Sequence, residues 1–180
     1  MEPFLNKLKS KIILLSIVLL SSCGGGSSSS ESDPIITPPP PPATNTVPVC
    51  TSTTYANTLY CTSKRRNLDR EFYIYVPNDI DTTNSQIPLL FSLHGYTSRA
   101  IWNLGYTGFQ SIAESEKFII IYPQGTILPS TGETHWNVGG WTTGSTTDDV
   151  DYLSSLIDWA YSEYKIDRDR VYSTGMSNGG

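Results

Sequence analysis

The sequence predicts an α/β fold, with a mainly parallel sheet and flanking helices, and three observations carry that expectation. From residue 70 onward, short β-branched and aromatic runs alternate with stretches of helical periodicity. The runs at 88–93 and 118–122 are continuously apolar rather than alternating, as strands covered on both faces are. A last short strand then leads directly into a serine flanked by glycines.

The chain opens with a leader rather than with a domain. Lys7, Lys9 and Lys11 precede an apolar run at 12–20, too short to span a bilayer, which needs about 20 residues. That pattern predicts a signal peptide over 1–22. Leu20-Ser21-Ser22-Cys23 resembles the lipobox of bacterial lipoproteins, which makes Cys23 the expected lipidated N-terminus. The alternative is ordinary secretory cleavage beside an incidental cysteine. Residues 23–48 read as a tether, flexible where Gly and Ser dominate and stiffer in the proline run. The expected protein is therefore exported, and either anchored by lipid to the bacterial cell envelope or extracellular. The membrane is a partner only through the anchor.

Residues 49–180 are the predicted folded part. EFYIYV at 71–76 is a strand ended by Pro77, and 78–86 is polar and turn-rich. After the buried strand at 88–93, residues 99–117 form one helix candidate that Gly105 and Gly108 weaken. A second buried strand at 118–122 stops at Pro123, and a long Gly/Thr-rich loop fills 127–147. Residues 148–165 give the clearest helix. Val150, Leu153, Ile157, Ala160, Tyr161 and Tyr164 recur at three-and-four spacing, with Asp148 and Asp149 at its start. A link at 166–169 precedes the final strand at 171–174.

Composition narrows the functions. A net charge of −5 gives no electrostatic reason to expect a nucleic-acid partner. With Cys23 lipidated, Cys50 and Cys61 remain as a pair suited to an oxidising compartment and predict a disulfide. No C-x-x-C occurs and the two histidines are far apart, so no metal site is expected.

Chemistry concentrates at two places. Gly175-Met176-Ser177-Asn178-Gly179 is G-x-S-x-G placed directly after a predicted strand, the context of the α/β-hydrolase nucleophile turn. The turn is sharp, so its flanking residues must lack bulk, and Ser177 is the expected nucleophile. His94-Gly95 closes the first buried strand, where this fold draws one oxyanion donor from the loop that follows. By position the two donors are the backbone N–H groups of Tyr96 and Asn178, and His94 shapes the loop. A rival reading makes His94 the base, against the Ser-Asp-His chain order of this fold. The predicted fold is thus an α/β-hydrolase fold truncated after the nucleophile turn.

At this point the chain resembles extracellular esterases of the polyhydroxybutyrate-depolymerase and feruloyl-esterase type. The matching stretches are REFYIYVP, IPLLFSLHGYTS, FIIIYPQG, HWNVGGW, DDVDYLSSLI and IDRDRVYSTGMSNGG, together spanning 70–180. The resemblance implies hydrolysis of carboxylic esters through an acyl-serine, without a cofactor. The substrate would be a polyester or a feruloyl or acetyl ester of a polysaccharide. It also implies a triad Asp and His beyond Gly180, so that residues 1–180 alone are expected to be nearly inactive. Tyr96 stands where the family often has a Cys, which removes a disulfide there. His135, Trp136 and Trp141 lie in the long loop, either lining a substrate cleft or packing the loop onto the sheet. Asp148 and Asp149 read as helix-start residues rather than the triad acid. Two alternatives stay open: a peptidase of the prolyl-oligopeptidase type, and a non-catalytic lipoprotein that binds surface polymers.

Overall fold

The structure, a computed structural model, describes residues 42–84 and 87–180. The predicted signal peptide, Cys23 and the tether up to residue 41 lie outside the described residues. Among the described residues, no helix is long and apolar enough to cross a membrane.

The N-terminal part is an antiparallel meander: β1 (Val49–Ser52), β2 (Thr58–Arg65) and β3 (Leu68–Tyr75). β2 and β3 are joined by Arg66 and Asn67 alone, both at positive φ (50° and 67°). Two such residues form the type I′ turn whose twist matches paired strands. Cys50 and Cys61 face each other across β1 and β2 and are joined as the predicted disulfide. The end of the predicted tether lies along this hairpin, with the amides of Thr44 and Thr46 donating to Asn67 Oδ1 and the Lys64 carbonyl.

β4 (Ile87–Leu93), β5 (Ile119–Pro123) and β8 (Ile166–Gly175) supply the parallel ladders, completing a six-stranded sheet ordered β1-β2-β3-β5-β4-β8. The three ladders nearer the N-terminal edge are antiparallel, which makes the sheet mixed. The parallel ladders are β5-β4 and β4-β8, both in the part that carries the predicted nucleophile.

Alternate residues of β5 serve opposite faces, which explains its unbroken apolar sequence. Ile119 and Ile121 pack with Phe72, Leu89 and Phe91 beneath α3 (Asp149–Tyr164). Ile120 and Tyr122 pack with Tyr75, Ala100, Leu104 and Ala113 under two short helices, α1 (Ala100–Thr107) and α2 (Phe109–Glu116).

Three sequence expectations are corrected here. The single helix over 99–117 is two, because Gly108 adopts φ 66° between them. The inner stripe of α3 is displaced from the predicted one. Tyr152, Leu156, Trp159 and Ala160 are buried while Val150 is 76% exposed, because the aromatic rings of Tyr152 and Trp159 fill the space over the sheet. The final strand begins at Ile166, so the predicted link at 166–169 is already paired or in line with β4. The long loop carries a small ribbon of its own, β6 (Thr126–Ile127) against β7 (Thr134–His135), then a 3-10 turn at Gly140–Thr142.

Candidate active site

β8 ends at Gly175 beside Leu93, the last residue of β4, so the two loops that carry the predicted chemistry leave the sheet side by side. The Met176 amide donates to the Leu93 carbonyl at 3.2 Å and fixes that neighbourhood. Ser177 then sits at φ 53°, left-handed backbone that a serine adopts only under constraint from its surroundings. A 3-10 turn, Ser177–Gly179, follows at once.

The flanking glycines have steric causes. A Cβ on Gly175 would lie 1.9 Å from the Gly179 carbonyl oxygen, and one on Gly179 would lie 2.5 Å from that of His94. Neither position admits any other residue without moving backbone. Gly95 lies against the elbow itself, since a Cβ there would come within 3.7 Å of Ser177 Cβ. The loop after β4 and Ser177 are therefore in contact.

His94 is fully buried, and both ring nitrogens are engaged by backbone. Gly125 N–H donates to Nε2 at 2.9 Å, so Nε2 must accept, and the proton sits on Nδ1, donating to the Gly95 carbonyl at 2.7 Å. Burial pushes the pKa of the ring down, in keeping with a neutral tautomer. His135 is also fully buried; its Nδ1 donates to the Thr126 carbonyl at 3.0 Å, and its Nε2 has no partner.

The two tryptophans separate. Trp136 is 4% exposed and its indole N–H donates to the His94 carbonyl at 2.9 Å, so it packs the loop onto the site's frame. Trp141 is 56% exposed and stands edge-on to the Tyr96 ring at 5.0 Å. Of the three loop residues singled out in the sequence, only Trp141 presents surface. His135 and Trp136 do not, because the β6–β7 ribbon and the bonds to His94 and Asn178 enclose them.

Asp148 caps α3 by accepting from the Asp151 amide, as expected of a helix-start residue. Asp149 does more. One oxygen takes the Arg70 guanidinium at 2.8 Å and the other accepts the Asn137 amide at 2.8 Å, and both charged side chains are buried. Arg70 also stacks on Tyr152, 3.8 Å from the ring centroid, and donates to the Gln124 carbonyl. This network is nearly illegible in the sequence. Its only local signal is a lone arginine at the start of an apolar strand. Among the described residues no group of three or more metal-ligating side chains comes together.

Solved structures share this fold. A thermostable esterase superposes with a TM-score of 0.54 at 20% identity, over 68% of this chain and 35% of that one. The S-formylglutathione hydrolase of Agrobacterium tumefaciens gives 0.54 at 15% identity, over 75% of this chain and 54% of that one. The fold is that of the α/β-hydrolases. Within it, β8 runs directly into the tight turn that carries Ser177.

No protein-family model matches the chain. By sequence the α/β-hydrolase part is similar to the bifunctional acetylxylan esterase/xylanase XynS20E of Neocallimastix patriciarum, at 34% identity over 117 residues. It is also similar to acetylxylan esterase A of Emericella nidulans, at 31% over 113 residues. These matches take in 65% and 60% of this chain but only 16% and 34% of the two relatives, so the chain spans about a third of their length or less.

Proposed function

We propose that the protein of which these residues are part is an exported serine esterase that removes acyl groups, acetyl foremost, from a polysaccharide. The observation that carries this reading is Ser177 held at positive φ on the elbow, with the Gly95 loop packed against it. The acetylxylan esterase relatives support ester rather than peptide substrates. Among the ester classes that the sequence resemblance admits, they favour polysaccharide acetyl esters over polyesters.

In this reading Ser177 Oγ attacks the ester carbonyl, and the backbone N–H groups of Tyr96 and Asn178 receive the negative charge that develops on its oxygen. The Tyr96 amide lies outside helix and strand, and an amide in the first turn of a helix, like that of Asn178, has no partner within the helix. The base and its orienting acid would follow Gly180 in the chain. This agrees with the commitment of both His94 ring nitrogens to backbone, which leaves that imidazole no lone pair for Ser177. Water then hydrolyses the acyl-serine. Trp141, exposed beside Tyr96, offers an apolar face to the substrate. The Cys50–Cys61 disulfide fits an oxidising compartment, and Cys23 remains the proposed lipid anchor.

The test is a substrate panel for the protein extended past Gly180: acetylated xylan, methyl ferulate, polyhydroxybutyrate and a proline-containing peptide. Acetate release from xylan at the highest kcat/KM is expected. Cleavage of the peptide or the polyester alone would overturn the assignment.

A further inference from the structure

The two proposed oxyanion donors belong to loops that leave neighbouring strands, and besides the Met176–Leu93 bond at their base a second tie bears on the gap between their amides. The segment from Thr134 to Trp136 touches both loops. Its Thr134 carbonyl accepts the Thr97 amide at 3.0 Å, and Thr134 Oγ1 donates to the Ser98 carbonyl at 2.6 Å, which holds the loop that carries Tyr96. Two residues later Trp136 meets the elbow. There the Asn178 carboxamide makes two bonds to the backbone of one residue: Oδ1 accepts the Trp136 amide at 2.7 Å, and Nδ2 donates to the Trp136 carbonyl at 3.1 Å. This pairing imitates a rung of a β-ladder and is almost wholly buried, with Asn178 at 8% exposure.

We propose that the Asn178 side chain is a positioning residue that locks the elbow onto the 134–136 segment and so fixes where its own backbone N–H points relative to that of Tyr96. The inference rests on the esterase reading but adds a role that the elbow motif does not contain, since G-x-S-x-G leaves the residue after serine unspecified. The carboxamide is suited to this because it alone among small side chains carries a donor and an acceptor at the spacing of a peptide group. It touches neither substrate nor Ser177 in this role, and acts only by aiming the amide.

The experiment compares Asn178→Ala and the nearly isosteric Asn178→Asp with the parent, in the protein extended past Gly180, on a soluble acetyl ester. Active sites are titrated by the acyl burst, and melting temperature is read alongside. Every variant keeps the backbone amide, so any change in transition-state stabilisation must come from its placement. A misplacement of about 1 Å corresponds to a loss of about 100-fold. The expected result is a fall in kcat of about 10- to 100-fold per titrated site for Asn178→Ala, with KM within about twofold. Asn178→Asp keeps the acceptor for the Trp136 amide but turns a carboxylate oxygen on its carbonyl, and should lose at least as much. A purely structural clamp would lower the melting temperature and leave kcat per site unchanged, and that result overturns the inference. So does a loss carried by KM alone. A parent whose turnover survives Ser177→Ala overturns the esterase reading itself, and this inference with it. If Asn178→Ala does not fold, Asn178→Asp decides alone.

Discussion

Arg70 on β3 and Asp149 at the start of α3 are 79 residues apart in sequence and meet at 2.8 Å in a buried ion pair. The pair joins the sheet to the helix, and its second oxygen holds the Asn137 amide, next to the tryptophan that Asn178 clamps. The loop beside Ser177 is thus moored to the core through a charge that cannot be left alone. Removing one partner of such a pair typically costs about 3–5 kcal/mol, because the other charge remains buried without compensation.

Arg70→Met is therefore expected to lower unfolding free energy by about 3–5 kcal/mol in urea titrations. Replacing both, as Arg70→Met with Asp149→Leu, should recover most of the loss. A single variant within about 1 kcal/mol of the parent contradicts the role given to the pair.

The glycines around Ser177 separate folding from catalysis. In Gly175→Ala the new methyl meets backbone at 1.9 and 2.3 Å, which nothing can relieve locally. We expect destabilisation of roughly 2–4 kcal/mol and loss of activity together. In Gly95→Ala the nearest atoms are the mobile end of Met176 at 3.0 Å and the Met176 carbonyl oxygen at 3.3 Å, with Ser177 Cβ at 3.7 Å. That variant should lose less stability than Gly175→Ala and still lose activity, because the methyl presses on Met176 beside Ser177, the proposed nucleophile. Equal effects on melting temperature in the two variants contradict this account.

How much of this was legible in the sequence depends on how local each cause is. The elbow was legible because glycine is demanded within five residues of the serine, and the buried strands because β5 shows its two-faced burial in every residue. The β2–β3 turn was not, since Arg66 and Asn67 lack the glycine that usually marks a type I′ turn. The true start of β8 at Ile166 was hidden because pairing with β4, not local propensity, makes those residues a strand. The Asn178 and Asp149 clamps were out of reach for the same reason: their partners lie 42 and 79 residues away.

Glu114 gives a prediction for acid. The Tyr75 hydroxyl at 2.7 Å, the Asn78 amide and Lys117 hold its pKa down from 4.5 to about 2. A carboxylate depressed in the folded state adds stability that is fully present above its unfolded pKa and is lost as pH falls to the folded one. The contribution should be constant above about pH 5.5 and disappear between pH 4.5 and about 2. Melting temperatures of Glu114→Gln should then converge with those of the parent toward pH 2 and stay a constant interval below them above about pH 5.5. Parallel curves across that range contradict the assignment.

The central claim is that Ser177 is the nucleophile, and labelling with a fluorophosphonate probe tests it most directly. A serine hydroxyl attacks at neutral pH only with a base beside it, so the experiment uses the protein extended past Gly180. The account predicts one labelled serine, mapped to the peptide that contains Ser177, and no labelling in Ser177→Ala. Labelling that persists in Ser177→Ala contradicts it.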